Sequence, residues 1–353
     1  MLTRTRPARS AAPQVVSFDG EFADWNAFVA EQHEGTFCHL AGWRDIMTDV
    51  LGHECLYSAA VDHSGQIRGV LPLVRVKAPI LGHHLVSMPF LNSGGPLGDD
   101  AAIRALSRHA LELAATSDVD MLELRTRNVM TSPLRVTTRK ITVLLTLPQT
   151  SEALWESFSS KLRNHIKQPQ KAGLVTKFGP SQLGAFYDVF ARGMRTLGTP
   201  VLPREFFERI ATNFRQQVVF AAVYDGDKPL AVGCGFIWNK EFEITWGASL
   251  REYNPTAANM MLYWSLMEEM IRRGVRVFNF GRCSPGGGTH RFKRQWGGLD
   301  VPLPWLQWSV RAESAAATPA PERPIFRLAA ALWRHLPLPV TLSIGPMLAR
   351  RLP

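Results

Sequence analysis

The sequence has few cysteines and no long apolar run. Its 353 residues include four cysteines, none of them in a C-x-x-C pair. This excludes a zinc ribbon and a disulfide framework, and it indicates a reducing compartment. No apolar stretch reaches the ~18 residues of a spanning helix, and no signal-peptide apolar segment follows the basic N-terminus. We therefore expect a cytoplasmic globular protein.

Motifs for common cofactors and metals are also missing. The sequence contains neither G-x-G-x-x-G nor a Walker loop, which argues against a dinucleotide or P-loop nucleotide site. No histidine–carboxylate spacing indicates a metal centre. We expect no bound cofactor and no metal.

The net charge of +10 is concentrated at the two ends of the chain. Residues 1–10 carry three arginines, and residues 311–353 carry six arginines against two glutamates. The ends therefore supply seven of the ten charges. The body has little general affinity for nucleic acid, because such affinity scales with the number of cations that meet phosphates.

The same order of elements is predicted twice, over residues 55–124 and again over residues 218–280. Each half reads as a β-hairpin, a strand, a loop, a helix and a further strand. This order predicts a duplicated mixed α/β domain, and the chain length suits two domains. The predicted divisions are a disordered N-terminus (1–14), a first domain (15–150), a second domain (151–310), and an Ala/Pro-rich linker with a basic amphipathic tail (311–353).

Residues 280–297 form the stretch most suggestive of chemistry. It contains Gly286, Gly287 and Gly288, which would let the backbone approach a ligand closely. It also carries four cations with no acid before Asp300: Arg282, Arg291, Lys293 and Arg294. This combination suits a phosphate-bearing substrate, and the competing interpretation is a solvated surface loop.

The other candidate functional residues are a second basic cluster and three possible general bases. Lys161, Arg163, Lys167 and Lys171 lie on one predicted helix, which is also what a solvated helix face would show. The candidate bases are Glu241 and Glu243 on a strand and His290 in the glycine-rich stretch. The alternatives are that Glu243 points to solvent and that His290 is structural.

Two segments resemble the FemAB family. Residues 162–174, LRNHIKQPQKAGL, are similar to the family's "LR..I+.A.K.GL" passage, with Pro169 as a departure. Residues 279–297 are similar to its "FG…G…FK..(F/W)G" signature. Residues 194–201 and 254–259 resemble the subgroup found beside exosortase/PEP-CTERM systems. The resemblance covers about residues 150–305.

The resemblance implies two tandem domains of the GNAT acyltransferase type. It implies transfer of an amino acid from aminoacyl-tRNA to an amine of a peptidoglycan precursor, forming an amide. The family's Phe-Lys pair corresponds to Phe292 and Lys293, and Lys293 would hold negative charge that develops during the reaction. The predicted catalytic residues are Lys293, Phe292, Glu243 and His290. The predicted substrate-binding residues are Arg163, Lys167, Arg282, Gly286, Gly287, Gly288, Arg291, Tyr253 and Asn259.

Two alternatives remain open from the sequence. The helical arm of some tRNA-using members has no counterpart here, so the donor could instead be acyl-CoA and the acceptor a sugar amine of an exopolysaccharide. However, the R/Q-x-x-G-x-G/A loop that cradles CoA is not found between Gly247 and Asn259. The other alternative is a degenerate family member that binds a polysaccharide or a sorting component without catalysis.

The C-terminal tail has its own hypothesis. Phe326, Leu328, Leu332 and Trp333 alternate with arginines, a pattern typical of a helix lying on the anionic inner face of the cytoplasmic membrane. The competing interpretation is an extra helix packed on the body.

Overall fold

A computed structural model describes residues 12–78, 82–310 and 324–352. The disorder predicted for residues 1–11 and the linker predicted for residues 311–323 lie outside the described residues. Gln14, placed by the sequence analysis in a disordered N-terminus, is instead the first residue of a strand.

The described strands belong to one mixed sheet. In chain order they are β1 (Gln14–Ser17), β2 (Glu54–Val61), β3 (Ile67–Ala78), β4 (Gly82–Ser87), β5 (Leu97–Gly98), β6 (Met121–Leu124), β7 (Arg135–Thr146), β8 (Val175–Phe178), β9 (Val218–Asp225), β10 (Lys228–Trp238), β11 (Glu241–Ser249), β12 (Val277–Cys283) and β13 (Leu299–Ser309). Across the sheet the order is β1-β2-β3-β4-β6-β13-β7-β12-β11-β10-β9-β8, and β5 pairs with β3.

Helices cover both faces of this sheet. They are α1 (Phe22–Glu31), α2 (Trp43–Asp45), α3 (Asp100–Thr116), α4 (Ser151–Ser157), α5 (Ser160–Lys171), α6 (Leu183–Leu197), α7 (Arg204–Asn213), α8 (Ala258–Arg272), α9 (Gly288–Arg294), α10 (Pro324–His335) and α11 (Leu338–Ala349). Single 3₁₀ turns lie at Phe37–His39, Pro180–Gln182 and Arg251–Thr256, and a π turn lies at Ile46–Val50.

The two halves repeat one topology. The hairpin β2–β3 is followed by β4, α3 and β6, and the hairpin β9–β10 is followed by β11, α8 and β12. In each half the third strand runs parallel to the last over three residue pairs, ending at Val86–Glu123 and at Glu243–Asn279. Beyond those pairs the parallel strands separate. The mixed α/β class and its duplication are confirmed.

Two long strands exchange between the halves, and the sequence analysis missed both. β7 precedes the second half in the chain but pairs with β12, whereas β13 ends the second half and pairs with β6. β7 and β13 also pair with each other, which makes the sheet continuous. Pro302 and Pro304 hide β13 in the sequence, because proline is rare inside strands. Pro304 is accommodated where the register shifts between Leu303 and Trp305. The domain boundary near residue 150 was predicted from the order of elements along the chain, and it stays a prediction.

An aromatic core ties the halves together on one face. The ring of Phe37 stacks on that of Phe236 with centroids 4.2 Å apart. Trp43 packs on Phe214 at 4.6 Å, and both side chains are buried. Each such burial contributes about 1.5–3 kcal/mol. The core therefore favours a fixed arrangement of the two halves.

Apolar residues recur at helical spacing from Leu154 to Ile166 and predict a single helix there. This prediction is wrong in one respect, because the structure has two helices, α4 and α5. Ser159 lies between them and caps α5, accepting a hydrogen bond of 3.3 Å from the Leu162 N–H. Serine caps helices well because its oxygen satisfies a free backbone donor. Pro169 lies inside α5, which continues to Lys171.

Candidate functional site

The site is built where β11 and β12 separate. Glu243 and Asn279 form the last parallel pair of these strands, and beyond it backbone pairing between them ends. Glu243 is 5% exposed and Asn279 2%. The predicted candidate Glu243 therefore points into the protein and not to solvent. A carboxyl group buried this deeply must be hydrogen-bonded or protonated.

The first half supplies one partner of Glu243. The Nδ2 atom of Asn92 donates to Oε1 of Glu243 at 2.6 Å. Asn92 lies in the loop after β4, in which Met88 and Phe90 have positive φ angles of 55° and 69°. Such angles are uncommon for residues other than glycine and are maintained only by surrounding contacts.

Arg125 supplies those contacts. Its guanidinium donates to the carbonyl oxygens of Met88 (3.3 Å) and Leu91 (2.9 Å), and Glu123 pairs with it at 2.8 Å. The loop of residues 88–96 is thus held from inside the first half while Asn92 reaches the second. These bonds fix the position of Asn92.

Asn279 organises the carboxylate pair. Its Nδ2 donates to Oε1 of Glu241 at 2.8 Å and to Oε2 of Glu243 at 3.2 Å. Its Oδ1 accepts from the Gly281 N–H at 2.8 Å and from the Thr142 hydroxyl. The outer carboxylate, Glu241, pairs with Arg127 of the first half at 2.9 Å. Both halves therefore contribute hydrogen-bond donors to the two glutamates.

The pKa of Glu243 is raised to about 7, first by burial and second by the negative charge of Glu241. The charge of Arg127, the hydrogen bond from Asn92 and the charge of Lys293 act in the opposite direction. A carboxyl group with a pKa near 7 can accept and release a proton at neutral pH.

Lys293 lies on α9, and its charge interacts with that of Glu243. Its side chain is buried, and Nζ donates to the carbonyl oxygens of Gly281 (2.6 Å) and Arg282 (3.0 Å). Burial lowers its pKa to about 8, whereas Cys283 and Glu243 oppose that shift. An ammonium group has three N–H donors, so one remains for a ligand.

Arg282 is the least satisfied cation of the group. Its guanidinium lies 5.3 Å from the ring centroid of Trp305, and Arg125 approaches that ring at 4.8 Å. Burial lowers the pKa of Arg282 to about 10, so the group stays charged at neutral pH. Within the described part of the chain its guanidinium makes no hydrogen bond or ion pair. A stacked guanidinium with free donors is suited to binding an anion.

The remaining predicted residues of the 280–297 stretch lie elsewhere. His290 accepts from the Gly286 N–H at 3.0 Å through Nδ1 and contacts Asp300 at 3.0 Å through Nε2. Phe292 packs against Tyr263 at 4.9 Å. Arg291 donates to the Gly286 carbonyl at 2.9 Å. The structure gives these side chains contacts within the loop and core, and it does not bring His290 or Phe292 to Glu243.

Gly286, Gly287 and Gly288 are exposed, and Gly288 begins α9. A methyl group added at Gly288 would meet no atom within 4 Å. The fold alone does not explain why glycine stands there.

A second group of predicted residues surrounds the start of α8. Tyr253 lies in the preceding 3₁₀ turn and Asn259 in the first turn of α8. Gln168 of α5, beside Lys167, donates to the Pro255 carbonyl at 2.6 Å. Arg163 is one turn earlier on α5. The predicted binding residues therefore do not form one site. One set lies at α8, Arg282 lies near Glu243, and the three consecutive glycines and Arg291 lie around the start of α9.

The equivalent helix of the first half is closed to ligands. Asp99 caps α3 by accepting from the Ala101 and Ala102 N–H groups at 3.0 and 2.9 Å, and Arg68 pairs with Asp99. By contrast, Ala257 at the start of α8 offers no side-chain cap. Free N–H groups at a helix start attract anions, so the second half has the more available site.

A cavity of about 330 Å³ lies on the first-half side of the carboxylate pair. Arg127 lines this cavity and also pairs with Glu241. The lining further includes the acidic residues Glu34 and Asp100 and the hydroxyl of Ser93. Apolar side chains complete the lining, so the cavity is mixed in polarity and borders the site.

The sequence analysis did not find Asn92, Arg127, Asn279 or Trp305. Asn279 precedes the recognised Phe-Gly pair, so its position next to that motif was the available signal. The others carry no local signal, because the sheet order alone brings them to Glu243.

Residues 156–294 match the family model described as "Acetyltransferase (GNAT) domain". No curated protein sequence matches the chain significantly. The structure of FemX is similar with a TM-score of 0.65 at 14% identity, covering 85% of this chain and 98% of that one. The chain has a tandem GNAT-like fold.

Two further solved structures share this fold. A tandem GNAT protein from the clavulanic acid biosynthesis pathway is similar with a TM-score of 0.53 at 13% identity, covering 84% of this chain and 98% of that chain. L-PGS from Bacillus licheniformis is similar with a TM-score of 0.54 at 10% identity, covering 90% and 98%. At such identities the likeness establishes the fold alone.

Proposed function

We propose that the protein is a FemAB-like N-acyltransferase that forms an amide on a cell-envelope precursor. The observation that carries the proposal is the buried pair Glu243 and Lys293, whose pKa values of about 7 and about 8 converge on neutral pH. Environments that shift titratable groups toward neutral pH are a mark of acid–base sites. The GNAT family match over residues 156–294 supports the same reaction class.

In the proposed reaction an acceptor amine attacks the activated carbonyl of an acyl or aminoacyl donor. Glu243 takes the proton that the ammonium form of the acceptor must lose. Lys293 and Arg282 stabilise the negative charge on the tetrahedral intermediate or on the leaving group. Collapse of the intermediate breaks the donor's ester or thioester bond. The second proton of the amine passes to the leaving oxygen or sulfur, so the products are the amide and a free alcohol or thiol.

The acceptor would enter through the cavity beside Glu241. Its volume of about 330 Å³ lies at the lower end of small-molecule sites and suits the reacting end of a larger precursor. Glu34 and Asp100 would attract an ammonium group, and Arg127 would meet a carboxylate or phosphate.

The donor is aminoacyl-tRNA or acyl-CoA. The start of α8 has no cap from Ala257 and only a long bond of 3.3 Å from the Ala258 N–H to the Thr256 hydroxyl. With Lys167 and Arg163 on the adjacent α5, it favours a donor carrying phosphate groups, such as CoA. The resemblance to FemAB proteins favours aminoacyl-tRNA and a peptidoglycan precursor. A sugar amine of an exopolysaccharide is the alternative acceptor, and the proposal places the reaction in the cytoplasm.

The test is product formation followed by mass spectrometry. The protein is incubated with acetyl-CoA, longer acyl-CoAs or aminoacyl-tRNA, together with UDP-linked muropeptide or an amino sugar. We expect a new amide from at least one pair, at a rate reduced about 10²–10⁴-fold in Glu243→Gln and unchanged in the surface control Glu156→Gln. Binding of a precursor without product from any pair would support the non-catalytic alternative.

A further inference from the structure

The helices α10 and α11 form a hairpin that is docked on α6. The Arg195 guanidinium donates to the Leu336 carbonyl at 2.6 Å, and Arg334 donates to the Leu197 carbonyl at 3.3 Å. Trp333 is buried, and Gly198 provides the space that Ala330 occupies. The sequence analysis gave packing of the tail on the body as the alternative to membrane contact. One face of the hairpin does pack on the body.

α11 is apolar on both of its sides. One side places Thr341, Gly345 and Ala349 against the body, at a spacing of four residues. The opposite side exposes large apolar side chains: Val340, Ile344, Met347 and Leu348. No charged residue lies between Leu338 and Ala349. A surface helix normally turns a polar side to water, so an exposed apolar side marks a surface that contacts another phase or partner.

α10 extends the same kind of surface. Ile325, Leu328 and Leu332 are each more than 60% exposed and recur at helical spacing. Seven of the thirteen exposed large apolar side chains of the described residues lie on this hairpin. The apolar exposure is thus concentrated on these two helices and is not the scatter expected of an ordinary surface.

The charge of the hairpin indicates which partner covers its exposed apolar side chains. Residues 324–352 contain four arginines and no acidic residue: Arg327, Arg334, Arg350 and Arg351. Self-association through a two-fold contact would set this cationic face against itself, which is repulsive. A bilayer with anionic headgroups offers both apolar depth and negative charge. Among the described residues no helix is long and apolar enough to span a bilayer.

We propose that the α10–α11 hairpin docks the protein on the surface of an anionic membrane, with both helices lying in the interface plane. The apolar side chains enter the acyl boundary, and the arginines meet lipid phosphates. This inference does not depend on the proposed catalysis.

The hairpin is packed on the core that also holds the Asn92 loop. Ala349 and Leu342 belong to the same apolar cluster as Met88 and Phe90. Docking would therefore give the candidate site a fixed orientation to the membrane.

The test is flotation of the full chain with vesicles of phosphatidylcholine alone or mixed with phosphatidylglycerol. We expect flotation with the anionic vesicles, and weaker flotation with the neutral ones or at high salt. The variant Ile344→Gln/Met347→Gln should partition about tenfold less, and so should Arg350→Gln/Arg351→Gln. Because these residues are on the surface, the fold should not change, and circular dichroism checks this.

The matched control is Val129→Gln/Leu299→Gln, which changes two exposed apolar residues elsewhere, 79% and 70% exposed. It should float like the wild type. Failure of the wild type to float with anionic vesicles, or equal flotation of the Ile344→Gln/Met347→Gln variant, would overturn the proposal. So would a wild-type dimer in light scattering that this variant converts to a monomer, because the apolar face would then be an interface between copies.

Discussion

Asn92 donates a hydrogen bond of 2.6 Å to Glu243 across 151 positions of the sequence. The bond joins a loop of the first half to the point where two strands of the second half separate. The candidate base is therefore in the second half, whereas part of its environment comes from the first. This relationship explains why the duplicated halves have unequal roles.

Asn92→Ala should raise the pKa of Glu243 above its present value of about 7. The amide donates to the ionised carboxylate and so favours the charged form, which its removal would disfavour. We expect the acid limb of the rate profile to move to higher pH and the rate at neutral pH to fall about three- to tenfold. The measurement is amide formation against pH. Asn213→Ala, which removes a surface amide, is the control, and an unmoved acid limb in Asn92→Ala would contradict the assignment.

Glu243→Gln should stabilise the protein at alkaline pH. The folded pKa of about 7 lies above the usual 4.5, so the folded state binds more protons between these values and stability falls as pH rises through them. The neutral amide avoids this loss. We expect the gain in the free energy of unfolding to be about 2 kcal/mol larger at pH 8 than at pH 5. Urea unfolding at the two pH values measures it, and a gain independent of pH would show that Glu243 titrates normally.

Lys293 should set the alkaline limb of the same rate profile. Its pKa is lowered to about 8, so its charge is lost as pH rises through that value. Lys293→Met should reduce the rate about 10²–10³-fold. Lys293→Arg should recover part of the rate and extend activity to higher pH, because a guanidinium stays protonated.

The control for Lys293 is Lys77→Met, which alters an exposed lysine on β3. A Lys293→Arg profile that still falls near pH 8 would assign the alkaline limb to another group.

Gly281 and Gly288 should respond differently to alanine. Gly281 has a φ of 69°, and an added methyl group would lie 2.7 Å from the Ile244 carbonyl. We expect Gly281→Ala to lower the free energy of unfolding by about 2–3 kcal/mol. Gly288→Ala should change it by less than about 0.5 kcal/mol. Thermal unfolding compares the two, and equal effects would contradict the strand geometry assigned to Gly281.

The sequence predicted those parts of the fold that are encoded locally. The hairpins and the repeated order of elements follow from neighbours in the chain. The helix break at Ser159 was missed because the apolar spacing continues across it. β13 was missed because Pro302 and Pro304 conceal a strand that tolerates them by a register shift.

The candidate site was predicted only in part for a related reason. Arg282 and Lys293 lie on the recognised motif of residues 279–297 and Glu243 lies on a predicted strand, and the structure brings the three together. Asn92 and Arg127 are brought to the candidate site by the exchange of β7 and β13 between the halves. No local sequence pattern predicts that exchange. His290 and Phe292 belong to the same sequence motif as Lys293, yet short-range contacts turn their side chains to Asp300 and Tyr263.

The most direct test of the central claim is the pH dependence of amide formation in single turnover, compared between the wild type and Glu243→Gln. The proposed mechanism requires Glu243 ionised and Lys293 protonated, so the wild-type rate should be bell-shaped with limbs near pH 7 and 8. The variant should lose the acid limb and most of the rate. A Glu243→Gln rate equal to that of the wild type, with the acid limb retained, would show that Glu243 is not the base.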